Sequence, residues 1–439
     1  MEKDISLKKL LGNSMWTIVQ KVLTMILTVV VTGIIARYLG TENYGTVNYV
    51  ISVVAIFTTF STLGMETITV KDLVDKKQEE GDVLGTSFSL RIMGGIVLIL
   101  ISQITLYILE GAKQEIQILG LLYGIVMLLK AFEVIEYYIQ ANMKLKIAAI
   151  IRFIATIGLL GYKVLVVVFN WGNIGYISSY IIDAFIAGLL FYIWYKSTMK
   201  IKWKFNKEYA KSVLRRGWYF ILAGLISTLY MRMDQVMLGS MLEDKTQNGI
   251  YSAAVKIAEM WYFVPLAVIS SFQPVIIKLK STNEKQYLYK MQKLYDIVAI
   301  IGIACGIGVT IFGKYIVNIL YGQEYMEATK ILLISIWAGL FATLGSARGV
   351  WIISENLQKY IPLYLGMGCL TNLILNAVLI PKAGAYGAAI ATLISQIVSS
   401  IIAVLFIKKT RVTAIMMLKS IFKNGVLIVT LEKIRNRRR

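Results

Sequence analysis

Long apolar stretches separated by short polar ones run through the whole chain. A hydrocarbon core takes roughly 20 apolar residues of helix to cross, and the stretches here have that length. A closed transmembrane barrel would instead show short segments of alternating polarity. We therefore predict an all-α polytopic membrane protein with about twelve transmembrane helices. The predicted spans are 14–36, 43–64, 84–108, 116–140, 147–169, 174–195, 217–241, 248–273, 294–313, 330–353, 361–380 and 385–407.

Composition and charge support this interpretation and give an orientation. The chain is 57% hydrophobic with a net charge of +21, and it contains no histidine. Lysine and arginine number 32 in the odd-numbered segments between spans and only 6 in the intervening ones. Because cytoplasmic loops carry the excess of basic residues, both termini are predicted to be cytoplasmic, in a multi-pass protein of the cell membrane. Membrane orientation thus explains the charge, and nucleic acid is not a predicted partner.

Few features of the sequence indicate a cofactor. Cys305 and Cys369 lie inside apolar runs and are predicted to be small core residues. The absence of histidine removes most routes to a transition-metal site, so no metal is expected.

The first apolar run begins near Asn13 and is too long for a cleavable signal peptide. No phosphate-binding loop of the Gly-x-x-x-x-Gly-Lys-Ser/Thr type occurs, so an ion gradient, the membrane potential or the substrate gradient must supply energy.

Two pairs of glycine-bearing segments indicate an internal repeat. The segment 36–49, after the first span, resembles 238–254, after the seventh, and Gly45 and Gly249 are 204 residues apart. The segment 173–179 resembles 384–390, and Gly175 and Gly387 are 212 residues apart. Both offsets equal six spans, which predicts two parallel six-helix lobes with a cleft between them. The predicted domains are an N-terminal lobe (1–200), a basic cytoplasmic linker (201–216), a C-terminal lobe (217–410) and a cytoplasmic tail (411–439).

Ionisable residues inside the spans are costly, so each is a candidate functional residue. The basic residues outnumber the acidic ones, which favours an anionic ligand. The basic set is Lys21, Arg91, Lys130, Arg152, Lys163, Arg232, Lys256 and Arg348, and the acidic set is Glu133, Glu136, Asp183, Asp234 and Glu259.

Position along each helix separates these candidates. Arg91, Arg152 and Arg348 lie near cytoplasmic helix ends, where a long side chain can also extend to the interface. The i+3 spacing of Lys130 with Glu133, and of Lys256 with Glu259, allows local pairing.

Arg232 cannot face Asp234, two residues away on the same helix, so its partner must be another helix or a ligand. Lys21 has no acidic residue within one turn, and a ligand-binding role is expected for it too.

The C-terminal tail is apolar but interrupted by lysines, and residues 435–439 are almost wholly basic. We predict an interfacial amphipathic helix attracted to anionic headgroups rather than a thirteenth span.

Four segments in register resemble the polysaccharide-transport (Wzx-type) flippases of the multidrug/oligosaccharidyl-lipid/polysaccharide exporter superfamily. They are Asn13-Ser-Met-Trp with Ala36-Arg-Tyr-Leu-Gly-Thr-Glu-Asn-Tyr-Gly45, Arg232-Met-Asp-Gln-Val-Met-Leu-Gly239, Asn248-Gly-Ile-Tyr-Ser-Ala-Ala254, and Leu379-Ile-Pro-Lys-Ala-Gly-Ala-Tyr-Gly-Ala-Ala-Ile-Ala391. The resemblance covers nearly the whole chain.

The resemblance implies two lobes around a V-shaped cavity and transport rather than enzymatic activity. The implied substrate is an undecaprenyl-diphosphate-linked oligosaccharide, flipped to the external leaflet for a polysaccharide polymerase or ligase after glycosyltransferases have built it. Candidate substrate-binding cations are Arg232, Lys256, Lys21, Lys163, Arg91 and Arg348. Candidate ion-coupling or charge-pairing residues are Asp234, Glu259, Asp183, Lys130 and Glu133, with H⁺ or Na⁺ as the coupling ion.

Three alternatives remain open at this point. A lipid II flippase would have similar cavity chemistry. A cation-coupled multidrug exporter of the same superfamily would favour an acidic cavity. A membrane-bound glycosyltransferase or ligase would need long external loops, and the external loops predicted here are nearly all short.

Overall fold

The computed structural model describes residues 7–76, 78–199 and 201–422, without the side chains of residues 7–23 and of Ile26. Helices make up almost all of this part of the chain. Apolar residues fill them with few interruptions, as helices surrounded by lipid require. In order, they are α1 (Leu7–Ile56), α2 (Thr58–Thr62), α3 (Met65–Asp75), α4 (Glu80–Glu110), α5 (Gln114–Leu129), α6 (Val134–Ala141), α7 (Leu145–Val168), α8 (Gly172–Thr198), α9 (Lys207–Met241), α10 (Thr246–Glu259), α11 (Phe263–Thr282), α12 (Glu284–Tyr321), α13 (Ala328–Ser354), α14 (Ile361–Ile397), α15 (Ala403–Phe406) and α16 (Arg411–Phe422).

Eight helices in the described ranges are long and apolar enough to cross a membrane, or up to nine if the bent pair Leu27–Ile56 and Thr58–Asp75 is counted as one span. These helices establish the predicted all-α class, whereas the count of twelve spans stays a prediction. Two of the longest helical stretches contain sharp breaks. Gly40 (φ 73°) divides α1, and Gly384 (φ 53°) divides α14. Both breaks fall between predicted spans.

The two breaks lie in the glycine-bearing segments that the repeat analysis singled out. A positive φ is readily adopted by glycine, which has no Cβ, so the chain can turn sharply there between two helices. In the first half of the chain, the Tyr38 hydroxyl accepts a hydrogen bond from the Gly172 amide at 3.0 Å. In the second half, the Gln247 side-chain oxygen accepts one from the Ala385 amide, also at 3.0 Å. In each half of the chain, the earlier glycine-bearing segment is therefore hydrogen-bonded at the start of the later one.

The chain forms two compact units, Met1–Thr228 and Leu229–Arg439, which we call unit 1 and unit 2. Each has its own apolar core. The core of unit 1 includes Leu84, Val134 and Phe191, all fully buried. The core of unit 2 includes Leu294, Val298 and Leu344, also fully buried. The predicted lobes and their boundaries stay predictions.

Residues 201–206, inside the predicted linker, pack against the first turns of α4. The Lys204 amide donates to the Gly81 carbonyl at 3.1 Å, and the Asn206 amide donates to the Thr86 hydroxyl at 2.8 Å. A Cβ atom at Gly85 would lie 2.5 Å from the Lys204 carbonyl oxygen, so only glycine allows this approach. We call residues 201–206 the strap.

The strap leads into the first turns of α9, which an ion pair fastens to α3. Arg216 donates from Nη1 and Nη2 to the two carboxylate oxygens of Asp72, at 2.9 and 2.7 Å. Tyr209 donates to the same carboxylate at 2.9 Å. Burial and the neighbouring Asp72 raise the pKa of Tyr209, so its hydroxyl stays a donor.

The C-terminal tail is helical over α16, and this helix packs into unit 2. Ala414 and Met417 are fully buried in its core, and Tyr295 on α12 is hydrogen-bonded to Thr413. Phe422, at the end of the helix, is 76% exposed. Residues 423–439, including the polybasic end, lie outside the described residues, so an interfacial role for the tail stays a prediction.

Candidate functional site

Charged side chains in unit 1 neutralise one another among the helices. Arg91 on α4 is 1% exposed and donates to Glu133 at 2.8 Å and to the Tyr137 hydroxyl at 2.6 Å. Arg152 on α7 donates to the other oxygen of Glu133 at 2.9 Å and to Glu136 from Nε at 3.1 Å. Two arginines thus meet two glutamates, and Glu133 bridges both arginines. We call these four residues the unit 1 charge network.

A short 3₁₀ turn, Lys130–Glu133, joins α5 to α6 and carries two of the predicted site residues. The direct Lys130–Glu133 pair that the i+3 spacing allows does not form: among the described residues, the ion pairs of Glu133 are with Arg91 and Arg152. Guanidinium groups match a carboxylate better than an ammonium does, because their donors form a planar fork. Lys130 still acts on Glu133 through its charge at longer range.

Lys163 on α7 is buried against aromatic rings. It is 2% exposed, and its Nζ lies 5.2 Å from the ring centre of Tyr176 and 5.1 Å from that of Tyr180. Such cation–π contacts partly replace the hydration that a buried ammonium loses. Asp183 on α8 interacts electrostatically with Lys163 and with Lys130. The structure therefore brings three predicted residues of unit 1 into one neighbourhood.

Three predicted residues of unit 2 also come together. Glu259 at the end of α10 interacts electrostatically with Arg232 on α9 and with Lys256, one turn earlier on α10. Arg232 is half-buried and donates to Gln235 at 3.4 Å, and Gln235 donates to Ser252 at 3.2 Å. Two cations and one carboxylate give this group of three a net positive charge. We call Arg232, Lys256 and Glu259 the unit 2 basic cluster.

Asp234 lies at the centre of a buried hydrogen-bond network in unit 2. It is 5% exposed. One carboxylate oxygen accepts from Asn372 at 2.8 Å and Asn376 at 2.6 Å, and the other accepts from Tyr251 and Thr392, both at 2.5 Å. All four donors are neutral, so the negative charge of Asp234 is solvated by dipoles rather than paired with a cation. We call these five residues the Asp234 network.

The sequence analysis did not single out the four donors to Asp234 as candidate site residues. Asn372 and Asn376 lie four residues apart on α14, so they share one helical face inside an apolar span. Thr392 lies after the break at Gly384 on the same helix, and its hydroxyl donates to the Asp234 carboxylate. Two amides one turn apart in a span were a visible signal, because buried polar groups need partners. Tyr251 gave no such signal among the many tyrosines.

Arg91 and Arg348 do not extend to the interface, which was one of the two expectations for them. Arg91 belongs to the unit 1 charge network, and Arg348 is 6% exposed with Nη1 2.7 Å from the Ser399 carbonyl oxygen. Both side chains are held by polar groups of the protein, so they turn inward. The side chain of Lys21 lies outside the described residues, and its predicted role stays a prediction.

The fold is that of known membrane transporters. A structure of the lipid II flippase MurJ in an inward closed conformation superposes with a TM-score of 0.69 and 19% identity, covering 96% of this chain and 93% of that one. An inward-facing multidrug resistance transporter of the MATE family gives a TM-score of 0.70 at 15% identity, covering 90% of this chain and 96% of that one. Together with the long apolar helices, this fold makes the chain a multi-pass membrane protein.

Sequence comparison identifies the family. The profile described as "Polysaccharide biosynthesis protein" matches residues 34–330, and the chain belongs to this family. The capsular polysaccharide biosynthesis protein CapF of Staphylococcus aureus is 26% identical over 408 residues, covering 90% of this chain and 99% of CapF. The probable low-salt glycan biosynthesis flippase Agl15 of Haloferax volcanii is 24% identical over 194 residues, and the match spans 41% of that protein. The probable flippase AglR of the same organism is matched over 40% of its length. The predicted resemblance is confirmed.

Proposed function

We propose that this protein is a flippase for undecaprenyl-diphosphate-linked oligosaccharide units. It would move them from the cytoplasmic to the external leaflet by alternating access of two lobes, and a polymerase or ligase would then build a surface polysaccharide. The family supports a role in polysaccharide biosynthesis, and relatives are named as probable flippases and a capsular polysaccharide protein.

The net positive charge of the unit 2 basic cluster is the observation that carries this proposal. A lipid diphosphate cannot cross hydrocarbon without its negative charges being compensated. Arg232 and Lys256 supply charge-assisted donors for its phosphate oxygens. Glu259 interacts electrostatically with both cations and balances one of their two charges. The cluster as a whole therefore attracts an anionic headgroup.

Loss of either cation tests the assignment. We expect Arg232→Ala or Lys256→Ala to abolish export while leaving the protein in the membrane, because a truncated side chain removes the donor and its charge. The readout is accumulation of lipid-linked oligosaccharide on the inner leaflet. Lys278→Ala removes an exposed cation of the same unit and serves as the control. Normal export by both cluster variants would show that the cluster does not bind the substrate.

The coupling ion in this proposal is Na⁺ or a proton, bound at the Asp234 network. Hard cations prefer oxygen ligands, and the network offers a carboxylate, amide oxygens and the Thr392 hydroxyl. The Asn376 side-chain oxygen is buried without a hydrogen-bond partner among the described residues. The amide nitrogen of the same side chain donates to Asp234 at 2.6 Å. A cation that bound both the amide oxygen and the carboxylate would satisfy both groups.

Thermal unfolding of the purified protein separates the two ions. A Na⁺ site predicts a higher melting temperature in NaCl than in choline chloride at equal ionic strength, and a proton site predicts a rise on mild acidification instead. Asp234→Asn, which keeps the shape and removes the charge, should abolish either response. A variant that responds like the native protein would exclude Asp234 as the coupling residue.

A further inference from the structure

Unit 2 contains a cavity at Arg348 that lies outside the unit 2 basic cluster and the Asp234 network. Its volume is about 250 Å³. Arg348 lines it together with polar and apolar side chains. The polar lining includes Ser346, Gln396 and Ser399, and the apolar lining includes Ile352, Ile361 and Leu365.

Arg348 is a buried cation without a carboxylate partner. It makes no ion pair with any described residue, and the groups that accept its hydrogen bonds are neutral. Nη1 donates to the carbonyl oxygens of Ser399 and Ser400 at 2.7 and 3.2 Å, and the guanidinium carbon lies 4.7 Å from the ring centre of Tyr364. Nε is buried with no hydrogen-bond partner in the described part of the chain. A buried charge in this condition is normally paired or bound to a ligand.

The local backbone explains why Arg348 turns toward this cavity. Residues Val398–Ile402 form a short π-helix between α14 and α15. A π-helix shifts the hydrogen-bond register by one residue, so carbonyl groups become available to outside donors, and such segments are frequent at functional sites. Two of these carbonyls hold Nη1 of Arg348, and the side chain lines the cavity.

Arg91 and Arg348 differ in their carboxylate partners: among the described residues, Arg91 has one and Arg348 has none. Arg91 is equally buried, and its Nε also has no partner among the described residues. Glu133, however, lies 2.8 Å away and neutralises Arg91 within unit 1. At Arg348, hydroxyl and amide groups and an open volume take the place that a glutamate occupies beside Arg91.

We propose that the Arg348 cavity binds a phosphate group, carried by an anionic lipid headgroup or present as free phosphate. A guanidinium without a carboxylate partner among the described residues, at a wall that also carries the Gln396 amide, suits phosphate oxygens. The volume is below the range usual for small-molecule sites, so it suits one phosphate with its ester group rather than an oligosaccharide. The site stands on its own geometry and does not depend on which lipid is transported.

Gly349 provides a test that leaves Arg348 intact. It lines the cavity, and a Cβ atom there would meet no other atom within 4 Å. Gly349→Leu should therefore fill the cavity without a clash. Gly308→Leu on α12, where a Cβ also meets open space, is the matched control outside the cavity. Arg348→Gln removes the charge directly.

The measurement is lipid binding by the full chain in nanodiscs of phosphatidylcholine, with or without phosphatidylglycerol. Native mass spectrometry counts bound phosphatidylglycerol, and thermal unfolding reports stabilisation. We expect Gly349→Leu and Arg348→Gln to weaken retention on the order of tenfold, as the loss of hydrogen bonds to a charged group implies, with Gly308→Leu unchanged.

Inorganic phosphate added to pure phosphatidylcholine nanodiscs distinguishes the two sources. Stabilisation by phosphatidylglycerol but not by phosphate, lost in Gly349→Leu, identifies a lipid headgroup. Stabilisation by phosphate alone, lost in the same variant, identifies free phosphate. If Gly349→Leu binds both probes as the native protein does, or if neither probe binds the native protein, the proposal is wrong and Arg348 only clamps the π-helix.

Discussion

The two units contain buried charges of opposite design. In unit 1, Arg91 and Arg152 meet Glu133 and Glu136, so the charges cancel inside the protein. In unit 2, Asp234 is held by neutral donors and Arg348 by carbonyl groups. Neither charge is therefore cancelled by an opposite charge among the described residues. A neutralised network requires no ligand, whereas an uncompensated buried charge is well placed to bind one.

Removing the bridging carboxylate of unit 1 should have the largest effect on stability. Glu133→Gln leaves Arg91 buried without a counter-charge, and breaking a buried pair in this way costs about 3–5 kcal/mol. We expect a large loss of folded protein and a lower melting temperature in detergent.

Glu136→Gln is the control, because Glu136 is 28% exposed and pairs with Arg152, which keeps Glu133. Its cost should be at most about 1 kcal/mol. An equal loss of stability in the two variants would contradict the idea that Glu133, which pairs with both arginines, stabilises the network most.

Thr392→Val, in the Asp234 network of unit 2, should have an intermediate effect on stability. The substitution deletes one hydrogen bond to the Asp234 carboxylate, and bonds to charged groups contribute about 1.5–3 kcal/mol. The response of the melting temperature to Na⁺ or to pH should weaken as well, because a ligand oxygen is lost.

Thr343→Val is a matched control for this change. Its hydroxyl is 2% exposed but donates only to carbonyls of its own helix, at 2.9 and 3.0 Å. The control should lose less stability and keep the ion response. A normal ion response in Thr392→Val would separate the Asp234 network from ion binding.

The smallest effect is expected at the ion pair that fastens α9 to α3. Arg216→Lys replaces two donors to Asp72 by a single ammonium group, and the arginine side chain is 41% exposed. The cost should be about 1 kcal/mol, because Asp72 is only 8% exposed and loses one donor but keeps an opposite charge and the Tyr209 hydrogen bond. Arg215→Lys, at an exposed neighbouring position, should leave the melting temperature unchanged.

Local features of the sequence predicted much of the fold. Apolar runs of the required length indicated the helices. The breaks at Gly40 and Gly384 were not predicted as such, although both fall in segments that the repeat analysis singled out. The candidate charges were also identified from their positions within the spans.

Pairing across helices was beyond reach of the sequence. Arg91 and Glu133 are 42 residues apart on different elements, so their contact depends on how α4 packs beside the 3₁₀ turn. The i+3 rule instead favoured Lys130 for Glu133, and tertiary packing overrode it. The partners of Asp234 on α14 lie 138, 142 and 158 residues away, and no local pattern connects them with α9.

The strap packs so closely against α4 that the polypeptide entering α9 has little room to move. Gly81 and Gly85 admit its backbone so closely that a methyl group would collide with it. Residues added within 201–206 would have to bulge outward or pull the segment out of its groove. Lengthening this stretch should therefore be poorly tolerated, although an exposed basic connection would ordinarily accept insertions.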